Sequence, residues 1–456
     1  MEVMEEIATV PVDPARARVY AEGWQSWSEA GVRPVTDPPP PVSRPDSLAI
    51  DCQYRRAAPP GVFEGAGLLA VDPGDGSPVR VFGAPPGLPE GVPVIQAALR
   101  DRVLSVTADT SNVTRRSLVS DGIPAALAAW ADEFAAGRPV TRRPVPPVWC
   151  SWYQYFERAT EGDILQNVDA MAALDLPVEI VQIDDGYQAC TGDWLVPSGK
   201  YADLPGTIRR IRAAGRRAGI WIAPWLVGVS SRLFAEHPDW VVREPGTGSP
   251  GEPVWAGNVV RDDCAALDLT NPGAARYLCD VMETMRGWGV DYFKIDFCYA
   301  GAYDGMRYSP VPGATAYQDG LRLIRTAIGP DALLVGCGAP LLPAVGFVDA
   351  MRIGPDIAAS YEPELRSHPT TPSQRNAARN VLARAWQHGR FWVNDPDCLM
   401  LRPGVERRAD WAAVVRDYGG LRASSDALDQ LDEWALETTR DLLVPSPPGV
   451  FVPAAS

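Results

Sequence analysis

The chain carries almost no lysine. Lys200 and Lys294 are the only lysines among its 42 basic residues, and the rest are arginine. Histidine is nearly as scarce, with His237, His368 and His388 the only three. None is spaced as a metal-ligand pair on a helix, so histidine metal centres and histidine-based triads are poor candidates. The eight cysteines contain no CxxC pair, so neither a zinc ribbon nor a redox motif is indicated, and reduced thiols in a cytoplasm are expected. No run reaches the roughly 18 apolar residues of a transmembrane helix. The acidic start, Met1-Glu-Val-Met-Glu-Glu6, has no apolar signal-peptide region. Positive charge is in deficit overall. A net charge of −15 disfavours nucleic acid and anionic membrane surfaces as partners.

Against that background Lys294 stands out. It lies in Asp291-Tyr-Phe-Lys-Ile-Asp-Phe297, an apolar and aromatic run of strand length. Strand alternation puts Lys294 and Asp296 on one face. Burying such a pair is unfavourable unless the two are used together. One reading is a structural ion pair in a core. The other is a catalytic nucleophile, Asp296, held ionised by Lys294, where a compact ammonium fits and a guanidinium would not.

A length of 456 residues suits a barrel of about 250 residues plus a smaller domain. Residues 1–122 read as a β-sandwich-like domain, with short alternating runs such as Val79-Arg-Val-Phe82 and Val103-Leu-Ser-Val-Thr107 between turns. Within it, Gly23-Trp-Gln-Ser-Trp-Ser28 offers two tryptophans, as sugar platforms or as packing. Residues 123–147 read as a helix near Ala125–Ala136 followed by a stiff Pro-rich linker. From 148 to 443, short apolar runs alternate with helical stretches about eight times. The runs are 148–153, 178–183, 219–225, 292–297, 333–337, 350–353, 391–394 and a weaker 420–424. This predicts a (β/α)8 barrel. A doubly wound sheet is the alternative, but no GxGxxG follows any of these strands. The segments 230–268 and 298–313 read as long loops, and 444–456 as a tail.

The expected strand ends share one chemistry. They bring Gln182-Ile-Asp-Asp-Gly186, Trp221 and Trp225, Lys294 and Asp296, Gly336-Cys-Gly338, Arg352-Ile-Gly-Pro-Asp356 and Asn394-Asp-Pro-Asp397. Paired carboxylates with aromatic faces suit glycoside hydrolysis. Divalent-cation binding by Asp184, Asp185, Asp395 and Asp397 is a second reading, and helix or turn capping a third.

Read jointly and in order, six stretches resemble the α-galactosidases of glycoside hydrolase family 36. They are Trp149-Cys-Ser-Trp-Tyr-Gln-Tyr-Phe156, Gln182–Gly186, Tyr292–Phe297, Gly336-Cys-Gly-Ala-Pro-Leu-Leu-Pro-Ala-Val-Gly346, Met351–Asp356 and Phe391-Trp-Val-Asn-Asp-Pro-Asp-Cys-Leu399. Gly23–Ser28 is an outlying match. The resemblance implies a retaining exo-α-galactosidase acting on short oligosaccharides, with Asp296 as nucleophile and Asp356 as acid/base. It implies that Asp184 and Asp185 hold hydroxyls around O4 and O6 of the galactose. Lys294 and Arg352 match sugar-binding cations, Cys337 lines the pocket near the 2-position, and Trp27, Trp152 and Trp221 match pocket aromatics. No metal or nucleotide cofactor is implied. Transglycosylation through the same intermediate, as in raffinose and stachyose synthases, is the alternative. Asp356 is expected in a less polar setting beside Gly354 and Pro355, which would keep it protonated for the first step. Compared with the family pattern, the N-terminal sandwich reads as shortened and the C-terminal β domain as missing.

Overall fold

The computed structural model describes residues 4–118, 122–140, 143–246, 251–259, 262–365, 368–445 and 449–451. Parts of the expected linker (141 and 142) and of the expected tail (446–448 and 452–456) lie outside these residues.

The N-terminal part is two antiparallel sheets face to face. One has four strands, Glu5–Pro11, Val103–Ala108, Val94–Arg100 and Val62–Ala66, in that spatial order. The other has five, Gly31–Pro34, Arg18–Ala21, Leu68–Asp72, Val79–Gly83 and Thr114–Leu118. Strand Leu68–Asp72 shows how they stack. Leu69 and Val71 join Phe63, Ile95, Leu104 and Val106 in the core between the sheets. Leu68 and Ala70 face the other way and join the main core with Trp130 of helix Ile123–Ala135. Period-two alternation with both faces buried explains why this run is apolar throughout. A short helix, Pro45–Asp51, interrupts what the sequence reads as all-β.

The larger part is a (β/α)8 barrel. Its parallel strands are β1 (Val148–Cys150), β2 (Ile180–Ile183), β3 (Arg217–Ile222), β4 (Val290–Ile295), β5 (Leu333–Gly336), β6 (Ala350–Arg352), β7 (Val393–Asp395) and β8 (Ala423–Ser424). The order around the sheet is β7-β6-β5-β4-β3-β2-β1-β8. The β7–β8 seam is bridged by Leu399 against Ser424 and by the Gly420 and Leu421 amides on the Asn394 carbonyl. All eight expected strands form, and the doubly wound alternative falls with that closure.

A helix follows each strand: α1 (Glu161–Ala173), α2 (Leu204–Ala213), α3 (Pro272–Trp288), α4 (Gly313–Ile328), α5 (Leu341–Ala344), α6 (Gln374–Ala383), α7 (Arg408–Tyr418) and α8 (Glu433–Leu442). Their ends follow local chemistry. Thr160 and Asp163 form a capping box on α1. Helix α3 starts with Asn271 capping and Pro272 in its first turn, and stops at Gly289 with φ +104. Helix α2 ends before Gly215, which turns the chain at φ +77, and Arg217 opens β3.

Two expectations need correction. The segment 230–268 is not a bare loop. Strands Trp255–Val259 and Asp262–Ala266 pair with Leu226–Gly228 in a small antiparallel sheet, over a cluster of Val227, Leu233, Val241, Ala265 and Leu267. An insertion that long holds its shape by burying apolar surface of its own. Trp225 lies beyond the end of β3 and packs against Tyr317 of α4, with ring centroids 5.0 Å apart. Among the described residues no helix is long and apolar enough to cross a membrane.

Candidate active site

The C-terminal ends of the strands bring the expected side chains to one mouth, as the barrel topology requires. At the end of β2, Asp184 and Asp185 are both 2 % exposed. Asp184 Oδ2 accepts from Lys294 Nζ at 3.1 Å, from Gln182 Nε2 at 2.5 Å and from the Cys150 thiol at 3.3 Å. Its Oδ1 accepts from the Asp185 amide at 2.9 Å. Asp184 is therefore saturated. Asp185 is not. Its Oδ1 takes Gln188 Nε2 at 2.6 Å, while its buried Oδ2 has no protein partner. Burial pushes the Asp185 carboxyl up to about 6 against the pull of Gln188, with Asp184 adding to the rise. That leaves a desolvated acceptor suited to a hydroxyl.

At the end of β4, Lys294 and, just beyond the strand, Asp296 are each 6 % exposed. Lys294 Nζ is 3.9 Å from Asp296 Oδ2, farther than from Asp184. Burial alone would pull the ammonium down, but Asp184 and then Asp296 hold it well above its ordinary value. The closest donors to Asp296 are Trp221 Nε1 on Oδ2 at 3.0 Å and the Phe297 amide on Oδ1 at 2.8 Å. Trp221 thus acts as a hydrogen-bond donor as well as an aromatic wall. Cys337 follows β5 and is 1 % exposed. Burial, and next Asp296, push its thiol well up, and Asp356 adds to the rise. Arg352 and Lys294 pull the other way.

Arg352 ends β6 and is 2 % exposed. Its Nη1 donates to Asp356 Oδ1 at 3.0 Å and to the Tyr153 hydroxyl at 3.4 Å, and its Nη2 lies 2.8 Å from Asp397 Oδ1. Asp395 Oδ2 is 3.6 Å from its Nε. The Asp356 side chain is 35 % exposed and touches a guanidinium. The less polar setting expected from Gly354 and Pro355 is therefore not what surrounds it, because Arg352, four residues earlier, reaches the carboxyl.

The N-terminal part also contributes. Trp27 packs edge-on against Phe297 with centroids 5.2 Å apart. It lies so close to Gly338 (φ +52) that a Cβ there would sit 3.1 Å from the indole. Arg384, fully buried, gathers this segment: its guanidinium donates to the carbonyls of Gln25, Ser26 and Ser28, to Glu22 Oε1 and to the Ile353 carbonyl. Trp152 opens the short helix Trp152–Tyr155 and packs edge-on on Phe156 at 5.3 Å. Its neighbours Ser151 and Tyr153 are the ones that touch Asp184 and Asp397. Sequence reading missed Arg384, Glu22, Tyr153 and Gln188. One arginine among many, or a Tyr inside an aromatic run, gives no local signal.

The metal reading finds no geometry. Asp184 is paired with Lys294, and Asp395 and Asp397 face Arg352. Among the described residues no group of three or more His, Cys, Asp or Glu could hold an ion.

Known proteins resemble this chain in sequence and in fold. A family model described as Melibiase matches residues 140–302. The alpha-xylosidase XylQ of Lactiplantibacillus pentosus is 26% identical over 34% of this chain and 20% of its own. The bifunctional alpha-galactosidase/sucrose kinase AgaSK of Mediterraneibacter gnavus is 29% identical over 39% of this chain and 19% of its own. The chain thus spans about a fifth of the length of these curated relatives. The alpha-galactosidase TtGalA of Thermus thermophilus, solved in complex with stachyose, superposes with a TM-score of 0.79 at 29% identity, over 97% of this chain and 93% of that one. With a barrel of this topology carrying these strand-end residues, the chain is similar to alpha-galactosidases of the Melibiase type.

Proposed function

We propose that the protein is a retaining exo-α-galactosidase, removing terminal α-galactosyl residues from short oligosaccharides by double displacement. Asp296 attacks the anomeric carbon while Asp356 gives its proton to the departing glycosidic oxygen, leaving a galactosyl ester on Asp296. Asp356, now a carboxylate, takes a proton from water, which attacks the same carbon and frees Asp296. The unpaired Asp185 Oδ2 accepts from a hydroxyl on the far side of the sugar, with saturated Asp184 holding Lys294 beside it.

The observation that supports this reading is that Asp296 follows β4 and Asp356 follows β6, the two strands that flank β5 in the barrel. The Thermus relative, solved with stachyose and with p-nitrophenyl alpha-D-galactopyranoside, supports the choice of sugar.

The test is hydrolysis of p-nitrophenyl α-D-galactopyranoside beside the α-xyloside, with labelling by 2-fluoro-α-galactosyl fluoride. Galactoside preference and a label on Asp296 are expected. An α-xyloside preference would refute the sugar, and a label elsewhere the nucleophile. Transfer product dominating at millimolar raffinose would make the protein a transglycosylase. A cytoplasmic site is proposed from the cysteine usage, and finding the activity in the secreted fraction would overturn it.

A further inference from the structure

Asp397 is a tightly held carboxylate in the mouth, yet the proposed double displacement gives it no task. It is fully buried and its backbone sits at φ +96, a region an L side chain enters only when its surroundings hold it there. Both oxygens are engaged. Oδ1 accepts from the Cys398 amide at 2.7 Å and pairs with Arg352 Nη2 at 2.8 Å. Oδ2 accepts from the Ile357 amide at 2.9 Å and from the Tyr153 hydroxyl. The Asp397 amide is itself pinned on Asp395 Oδ1 at 2.9 Å.

Two of these contacts bracket Asp356. Ile357 is the next residue in the chain, so its amide fixes the backbone carrying the Asp356 side chain. Arg352 donates through its other terminal nitrogen to Asp356 Oδ1. Tyr153 closes the ring, donating to Asp397 and accepting from Arg352 Nη1. We infer that Asp397 is a positioning residue that aims the Asp356 carboxyl, through the Arg352 fork on one side and the Ile357 amide on the other. The inference rests on the reading of Asp356 as the acid/base.

A carboxylate suits this task. It accepts three hydrogen bonds while pairing with a guanidinium, and it leaves half of the Arg352 fork for Asp356. An amide of the same shape would turn an NH2 toward N–H and O–H donors, and the fork would swing toward its remaining partners.

The test compares kcat/KM of Asp397→Asn and Tyr153→Phe on raffinose and on p-nitrophenyl α-D-galactopyranoside. A sugar leaving group needs the proton from Asp356 far more than nitrophenolate does. Mispositioning the acid should therefore lower kcat/KM on raffinose by about 100-fold in Asp397→Asn, and less in Tyr153→Phe, while the nitrophenyl substrate loses only about fivefold. Azide should raise kcat on the nitrophenyl substrate in Asp397→Asn. Equal losses on both substrates, or none, would overturn the inference and leave Asp397 a packing residue. If Asp397→Asn does not fold, the substrate ratio in Tyr153→Phe decides. Asp356→Ala separates the two layers. Without leaving-group dependence and azide rescue there, Asp356 is not the acid/base, and the inference falls with that reading. With them there but absent in Asp397→Asn, only the positioning inference fails.

Discussion

Lys294 is tied more closely to Asp184 than to Asp296, its neighbour on the same strand face: 3.1 Å against 3.9 Å. The ammonium thus couples the proposed nucleophile to the aspartate pair at the end of β2.

Replacing Lys294 tests this coupling. Lys294→Met leaves Asp184 buried without its cation, a change on the order of 3–5 kcal/mol. A lower Tm is expected, and the loss of activity should appear in KM as well as in kcat. Steady-state kinetics with a nitrophenyl galactoside reads the split. A fall in kcat with KM untouched would mean that Lys294 serves Asp296 alone.

Arg384 joins the Trp27 segment to the Ile353 carbonyl beside Arg352. Arg384→Lys keeps the charge and loses the fork. It should raise KM severalfold, in the same direction as Trp27→Ala, with a smaller change in kcat. A lower Tm with unchanged KM would show that Arg384 only fastens the two parts together.

Gly338 tests how tightly Trp27 is held. In Gly338→Ala the Cβ meets Trp27 at 3.1 Å and the Phe297 amide at 3.2 Å, at φ +52. Gly76→Ala, at φ +86 with nothing within 4 Å, is the matched control for backbone strain. Strain alone is about 1–2 kcal/mol. Gly338→Ala should lose more stability than the control and should raise KM. Equal denaturant midpoints and an unchanged KM would show that the indole yields freely.

Stability should fall as pH rises through neutrality. Burial raises Asp51 to about 7 and Asp185 to about 6. Their folded values lie above the unfolded one near 4, so the fold binds more protons. Their contribution is whole below about pH 4 and is lost as pH climbs through 6–7. His388, lowered to about 4 by burial and then by Arg422, acts oppositely: its stabilisation fades as pH falls below about 6.5. Two carboxyls outweigh one imidazole, so Tm should drop between pH 5.5 and 7.5. Asp51→Asn should flatten the slope by up to about 1.4 kcal/mol per pH unit. A Tm constant across this range would contradict the assignment.

Local patterns in the chain determined much of this protein. Strand-length apolar runs, helix caps and glycine stops fixed eight β/α repeats, because period, capping and left-handed backbone are properties of neighbouring residues. The strand-end residues then marked the mouth, since a barrel of parallel strands can place them nowhere else. Tertiary structure decided what neighbours in sequence cannot. It chose Asp184 over Asp296 as the closer partner of Lys294, and it set an arginine rather than apolar surface against Asp356. It also folded 230–268 into a small sheet and bound the Trp27 segment to the barrel through Arg384. Each of these depends on side chains from distant elements meeting in a desolvated space, where a few tenths of an ångström and the number of available donors settle which pair forms.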